Sequence, residues 1–163
     1  MDTPAVSPTR IAMTVGAVTG ALMLAVLAMG LQILGWLVFV GGIYYGMIRF
    51  RRETGGCISY LKALYAGVQT AFFTSVILAF AGYVSTTLDA SLIVAMLEMV
   101  EQRLLASGVP PRLADIAMQQ WREIFSPAVF AVIIIFTYST TGGFVGMLCA
   151  LFAYKEPSRV ITG

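Results

Sequence analysis

The chain has 163 residues, of which 59% are hydrophobic and 11% are charged, and its formal net charge is +2. Soluble domains carry about 25% charged and about 45–50% apolar residues, so this composition is typical of a membrane protein. The absence of histidine removes the commonest general base and metal ligand. Cys57 and Cys149 fit no metal-ligand spacing, and the small net charge does not favour nucleic acid. We therefore expect no metal, no other cofactor and no nucleic-acid partner.

Residues 11–48 carry no charge, yet this apolar run is too long for a single membrane crossing. As one helix it would be ~57 Å long, against a hydrocarbon core of ~30 Å. Gly30 can end a helix in the left-handed conformation, so we predict two spans, over residues 9–29 and 33–50. The first span is longer than the ~7–15 residues of a signal-peptide core, so we expect it to be retained.

The segment that joins the second span to the third holds four of the ten cationic residues, here called the cationic cluster: Arg49, Arg51, Arg52 and Lys62. Gly55 and Gly56 predict a tight turn in this segment, because glycine adopts positive φ without the ~1–2 kcal/mol cost that a side chain imposes. Ser59 is predicted to cap the third span, over residues 60–84, by accepting a hydrogen bond from a free amide at the helix start.

Two segments of mixed character separate the third span from the fourth, which is predicted over residues 127–154 and opens, like the first, with a Ser-Pro step. Residues 89–106 contain charged side chains that argue against a fifth span, and Asp89 can cap a helix here. Residues 111–125 have apolar side chains at helical spacing: Leu113, Ile116, Ala117, Trp121 and Ile124. We predict an all-α, single integral membrane domain over residues 1–163, with four transmembrane helices and an extracytoplasmic amphipathic hairpin.

The distribution of lysine and arginine predicts the orientation, because cytoplasmic loops carry an excess of these residues. The side of both termini would hold seven cations: Arg10, Arg49, Arg51, Arg52, Lys62, Lys155 and Arg159. The hairpin side holds three: Arg103, Arg112 and Arg122. We therefore expect both termini in the cytoplasm and interpret the cationic cluster as a cytoplasmic anchor. The alternative is that the cluster contacts anionic lipid head groups.

No Asp, Glu or Arg lies near the middle of a predicted span, which removes the usual residues of proton and ion paths. The polar residues of the third and fourth spans, here called the intramembrane polar set, are Gln69, Thr70, Thr74, Ser75, Thr137, Ser139, Thr140 and Thr141. We interpret them as helix-packing contacts, alongside the Gly-x-x-x-Gly spacings of three spans. The alternative is a polar groove for a small solute or a lipid. Hydroxyl nucleophiles have no base to activate them, so we predict no enzymatic activity.

The pattern around the cationic cluster resembles that of a bacterial family of four-helix membrane proteins, catalogued as domain of unknown function 4199. The residues that carry the resemblance are Arg51, Gly55, Gly56, Ile58, Ser59, Lys62 and Ala63, with support from the Ser126-Pro127 step. It extends from about Thr14 to Lys155. The resemblance implies an inner-membrane location and the four-span layout, and it supplies no catalytic residue.

Two hypotheses about function remain after these observations. The first is a non-enzymatic inner-membrane protein that acts by helix association, as a homo-oligomer or an accessory subunit of a membrane complex in the lipid bilayer. The second is a small-solute or lipid transporter or binding protein with a polar groove between the third and fourth spans. A water-accessible cavity lined by the intramembrane polar set would favour the second hypothesis, and a dry contact would favour the first.

Overall fold

A computed structural model describes residues 7–154, and the regular elements of this part of the chain are helices. In chain order they are α1 (Pro8–Ala28), α2 (Gln32–Glu53), α3 (Tyr60–Leu88), α4 (Ser91–Ala106), α5 (Pro111–Ile124) and α6 (Pro127–Ala153). The helices α1, α2, α3 and α6 are each long and apolar enough to cross a membrane. The prediction of an all-α chain is confirmed for these residues.

The helix bounds differ most from the predicted spans at the end of α3, which continues to Leu88 rather than ending at residue 84. The hydroxyls of Thr86 and Thr87 donate to the carbonyls of Gly82 and Tyr83, at 2.8 and 2.7 Å. These bonds satisfy the polar side chains without interrupting the helix. The polar residues after position 84 therefore made the predicted span shorter than the helix.

Glycines in the left-handed region make the turns that were predicted at Gly30 and at Gly55-Gly56. Gly30 has a φ of 75° and follows the end of α1, and Gly55 and Gly56 have φ values of 87° and 84°. The amide of Gly56 donates to the carbonyl of Arg51 at 2.9 Å, which closes the turn after α2. Both turn predictions are confirmed.

Serine precedes three of the long helices, but only one of these serines caps its helix through the side chain. The amide of Val129 donates to the Ser126 hydroxyl at 3.3 Å at the start of α6. Ser7 precedes α1 without a side-chain cap. The Ser59 carbonyl accepts the amide of Ala63 at 3.0 Å, whereas its hydroxyl bonds no α3 amide within residues 7–154. The predicted hydroxyl cap at Ser59 is wrong, although the helix begins where that prediction placed it.

The described residues form two compact units, one of residues up to Leu78 and from Ile135 onward, the other Ala79–Ile134. In the first unit α2 is central, because its side chains Phe39, Ile43 and Met47 are fully buried. Glycine brings the helices of this unit close together. A Cβ on Gly16 of α1 would lie 2.7 Å from the Cβ of Phe73 on α3, closer than carbon atoms can pack.

The second unit contains the last turns of α3, the α4–α5 pair and the first turns of α6. Leu97 of α4 and Ala114 and Met118 of α5 are buried in it. The Asp89 carboxylate accepts the amide of Ser91 at 2.9 Å, so the predicted capping by Asp89 is confirmed. Hydrogen bonds from the Ser91 hydroxyl and amide hold the pKa of the Asp89 carboxyl below its usual value.

We expect Gly16→Val to lower the free energy of unfolding by ~1–3 kcal/mol, because the branched side chain overpacks the contact between α1 and α3. Gly41→Val is the matched control, since a Cβ on Gly41 meets no atom within 4 Å. Both substitutions change helix propensity equally. Titration with a denaturing detergent, followed by circular dichroism, measures the difference, and equal destabilisation by the two variants would contradict the close contact.

Candidate functional site

Three of the four members of the intramembrane polar set on α3 are buried and bonded within the protein. Thr70, Thr74 and Ser75 are fully buried. The Thr70 hydroxyl donates to the carbonyl of Ala66 at 2.8 Å, and the Thr74 hydroxyl lies 2.9 Å from the carbonyl of Thr70 and 3.2 Å from that of Gly16. Thr74 therefore joins α3 to α1, where hydroxyls are expected to stabilise helix packing.

Ser75 and Ser139 form a direct bond between α3 and α6, with 3.1 Å between their hydroxyl oxygens. The Ser75 hydroxyl also lies 2.7 Å from the carbonyl of Phe72. Gln69 faces α1 instead, since its Nε2 lies 3.2 Å from the Thr9 hydroxyl. The described structure therefore brings Ser75 and Ser139 together and leaves Gln69 outside this contact.

The remaining hydroxyls of α6 lie outside the contact of Ser75 with Ser139, because successive helical residues are about 100° apart. Thr137 and Thr140 are exposed, and Thr141 is half-buried. Between them Tyr138 stacks on Trp36 of α2, with ring centroids 5.9 Å apart. The α6 hydroxyls of the intramembrane polar set therefore do not converge on one groove.

The cationic cluster divides into residues with different surroundings. Arg51 donates from Nη1 to the carbonyl of Ala153 at 2.9 Å, which ties the end of α2 to the last turn of α6. Arg49 pairs with Glu53 at 3.1 Å, one helical turn away. Arg52 and Lys62 are exposed. Within the cluster only Arg51 is therefore bonded to another helix of the described chain.

Two open grooves contain members of the cationic cluster. Lys62 lines one of about 560 Å³, together with Pro8 and Phe50. Arg49 lines a second of about 540 Å³ between α1 and α2, where Gly41 and Val18 supply apolar walls. A cation beside an apolar groove suits the head group and chain of a lipid. Head-group contact stays a prediction for the whole cationic cluster, and the grooves favour it at Arg49 and Lys62.

The sequence did not reveal the role of Arg51 as a capping residue for α6. The sequence indicates this role only through a general rule: cations near a helix C-terminus bond its last carbonyls and complement the helix dipole. The donor here belongs to a different helix, 102 residues away in sequence. Only the layout of four spans indicates that the end of α2 and the end of α6 lie at the same level.

No three His, Cys, Asp or Glu residues within 7–154 lie close enough together to hold a metal ion. Both cysteines are free thiols, Cys57 exposed and Cys149 half-buried. Five side-chain hydrogen bonds of the described residues join different helices, and the others are formed within four residues along the chain.

These features define an all-α protein with four helices long and apolar enough to cross a membrane. The chain belongs to the family described as "Protein of unknown function (DUF4199)", whose sequence model matches residues 10–155. This match confirms the resemblance inferred from the residues around Gly55-Gly56. Comparison with curated proteins and with solved structures gave no match.

We expect Arg51→Gln to lower the free energy of unfolding by ~1–2 kcal/mol, because a charge-assisted hydrogen bond to α6 is lost. Arg52→Gln is the matched control, since it removes the same charge from the next, exposed position. Detergent-induced unfolding of both variants, with and without anionic lipid, measures the difference. Equal effects that disappear without anionic lipid would instead assign both arginines to head groups.

Proposed function

We propose that the chain is a non-enzymatic integral protein of the bacterial inner membrane that acts by helix association. It works either as a homo-oligomer or as an accessory subunit of a membrane complex. Four helices that are each long and apolar enough to cross a membrane support the membrane location. The observation that carries the proposal is the exposed side of α6.

The helix α6 is much less covered by the rest of the chain than the other long helices. Only 6% of the most apolar 18-residue stretch of α6 is buried, against 33% to 39% of the corresponding stretches of the other three helices. Its buried side is a narrow strip of small residues: Gly142, Gly146, Ala150 and Ala153. Its exposed side, here called the outer face of α6, contains Phe136, Thr137, Thr140, Phe144, Met147 and Leu151.

Two hydroxyls near the middle of the outer face of α6 have no hydrogen-bond partner within residues 7–154. They belong to Thr137 and Thr140, whereas Thr70, Thr74 and Thr86 each bond the carbonyl four residues earlier. An unpaired hydroxyl is costly in hydrocarbon, and a neighbouring helix can supply its partner. This pair therefore favours a protein neighbour over lipid at the outer face.

Gly143 adds room for such a neighbour, because a Cβ on this residue would meet no atom within 4 Å. It lies one turn from Thr140 and from Met147 on the helix. The Gly-x-x-x-Gly pairs do not contribute in the same way. Gly16, for example, lies against Phe73 within the chain. The case for association therefore rests on the outer face of α6 rather than on those pairs.

A polar groove between α3 and α6 has less support than helix association. Ser75 bonds Ser139 directly, and Thr74 is fully buried against α1. These contacts favour dry packing over a path for a solute. The absence of histidine and of acidic residues from α3 and α6 supports a non-enzymatic role, because the hydroxyls have no base beside them.

The orientation that we propose has both termini in the cytoplasm and the α4–α5 hairpin outside. Hydrogen bonds between helices support the placement of the start of α1, the end of α2 and the end of α6 on the same side of the membrane. Thr9 near the start of α1 bonds Gln69 of α3, and Arg51 at the end of α2 bonds the end of α6. The excess of cations on this side favours the cytoplasm.

We expect the wild-type chain to form oligomers in lipid nanodiscs, counted by single-molecule photobleaching of labelled chains. Gly143→Leu should weaken association at least tenfold, because its side chain would wedge the helices apart. Thr140→Val should weaken it about threefold, the equivalent of the ~0.6 kcal/mol typical of an interhelical hydrogen bond. Gly41→Leu, an equally open glycine on α2, is the control and should leave the count unchanged.

The accessory-subunit form of the proposal predicts that another membrane protein co-purifies with the wild type and is lost from Gly143→Leu but not from Gly41→Leu. A monomeric wild-type chain that carries no other protein would contradict both forms. Equal loss of association in the two glycine variants would contradict the assignment to α6.

We expect Ser107→Cys, in a chain with Cys57→Ser and Cys149→Ser, to react with a membrane-impermeant thiol reagent in intact cells. Ser107 is exposed at the end of α4. The natural thiol of Cys57, retained in a Cys149→Ser chain, is the cytoplasmic control and should react only after the membrane is permeabilised. The reverse pattern of labelling would overturn the orientation.

A further inference from the structure

The helix α5 exposes an apolar face that is different from the face it packs. Ala114 and Met118 are buried, at 1% and 2% exposure. The apolar residues predicted from the helical spacing instead point outward, with exposures of 57% for Leu113, 46% for Trp121 and 62% for Ile124. Ile116 belongs to the same face and is 50% exposed. We call these four residues the apolar face of α5.

The opposite side of α5 carries charged side chains whose charges sum to zero. Arg112 and Arg122 balance Asp115 and Glu123, and all four are exposed. Arg122 also lies 3.8 Å from Glu101 of α4. An amphipathic helix of this kind can lie in the plane of a membrane interface, and without net charge its binding depends on apolar area rather than on anionic lipid.

The position of α5 in the chain brings its end close to the bilayer if α6 spans it. The helix ends at Ile124, and α6 begins at Pro127 after only two intervening residues. Aromatic side chains continue the apolar surface across this link. The ring centroids of Trp121 and Phe125 are 6.0 Å apart, and those of Phe125 and Phe130 are 6.3 Å apart. The apolar face of α5 is therefore continuous with the start of α6.

We propose that α5 lies in the interfacial plane of the bilayer, with its apolar face inserted among the upper parts of the lipid chains. This inference rests on the membrane location in the proposed function. Its occupant is the lipid surface, because the face continues into a helix apolar enough to span and includes a tryptophan, a residue enriched at membrane interfaces. The hairpin is then attached to the bilayer along α5 as well as through α3 and α6.

Tryptophan fluorescence tests this arrangement in the full chain, which has two tryptophans. Trp36→Phe leaves Trp121 as the only reporter. In zwitterionic phosphatidylcholine vesicles we expect blue-shifted emission and weak quenching by aqueous iodide. Lipids brominated near the glycerol should quench at least twice as strongly as lipids brominated near the chain end. Addition of anionic lipid or salt should change none of these values.

The matched control moves the reporter to the polar side of the same helix. In the variant Trp36→Phe/Trp121→Phe/Gln119→Trp we expect strong iodide quenching and little quenching by brominated lipid, because Gln119 is exposed on that side. If Trp36→Phe disturbs the fold, a fluorescent label on Ile116→Cys, with both natural cysteines replaced by serine, provides the same measurement while keeping both tryptophans.

Three results would overturn the inference. Strong iodide quenching of Trp121 would place α5 in water, and stronger quenching by the deeper bromines would place it inside the hydrocarbon. Protection from iodide and from both lipids would indicate a protein neighbour instead. Each of these results, in a chain that is helical and resistant to carbonate extraction, contradicts the interfacial helix alone, whereas failure to integrate into vesicles contradicts the membrane proposal itself.

Discussion

The close approach of the helices around Thr70 is the constraint on which the first unit depends. A Cβ on Gly46 of α2 would lie 2.6 Å from the Thr70 hydroxyl, and one on Gly16 of α1 would lie 2.9 Å from its carbonyl oxygen. In hydrocarbon, apolar side chains gain nothing by leaving lipid for one another, so helices associate through tight packing and paired polar groups. Thr70 contributes to both. Its hydroxyl donates to the carbonyl of Ala66 within α3, and Gly16 and Gly46 pack directly against it.

This form of packing explains why α6 has one face inside the unit and another outside it. Only small residues such as Gly142 reach the tight contact with α3, so the covered strip is narrow and the larger side chains of α6 must point away. Ser139 belongs to the inner side of α6, where its hydroxyl bonds that of Ser75. Thr137 and Thr140 occupy the other side and their hydroxyls bond no atom of residues 7–154, and in the membrane location that we propose the lipid chains would offer them no acceptor.

The sequence determined the helices well because their signals are local. Gly30, Gly55 and Gly56 mark chain reversals through their own backbone conformation, and the length of each apolar run can be compared directly with the ~20 residues that cross a bilayer. The direction of each hydroxyl is not local, since it depends on the rotation of one helix against another. The eight residues of the intramembrane polar set could be found from sequence, whereas the pairing of Ser75 with Ser139 could not. The contact of Arg51 with α6 was missed because its partner is a backbone carbonyl.

Different interactions dominate two segments of the chain, namely the α2–α3 connection and the α4–α5 hairpin. Charge dominates the α2–α3 connection. Arg51 donates to a carbonyl at the end of α6, and Arg52 and Lys62 are exposed and free to contact anions. Apolar area dominates α5, whose four charges cancel while Leu113 and Trp121 stay uncovered. Ionic strength screens exposed charges over about 10 Å but leaves apolar transfer almost unchanged, so salt acts mainly on the connection. The proposed orientation of the chain and the proposed attachment of its hairpin are then separable, because each rests on a different segment of the sequence.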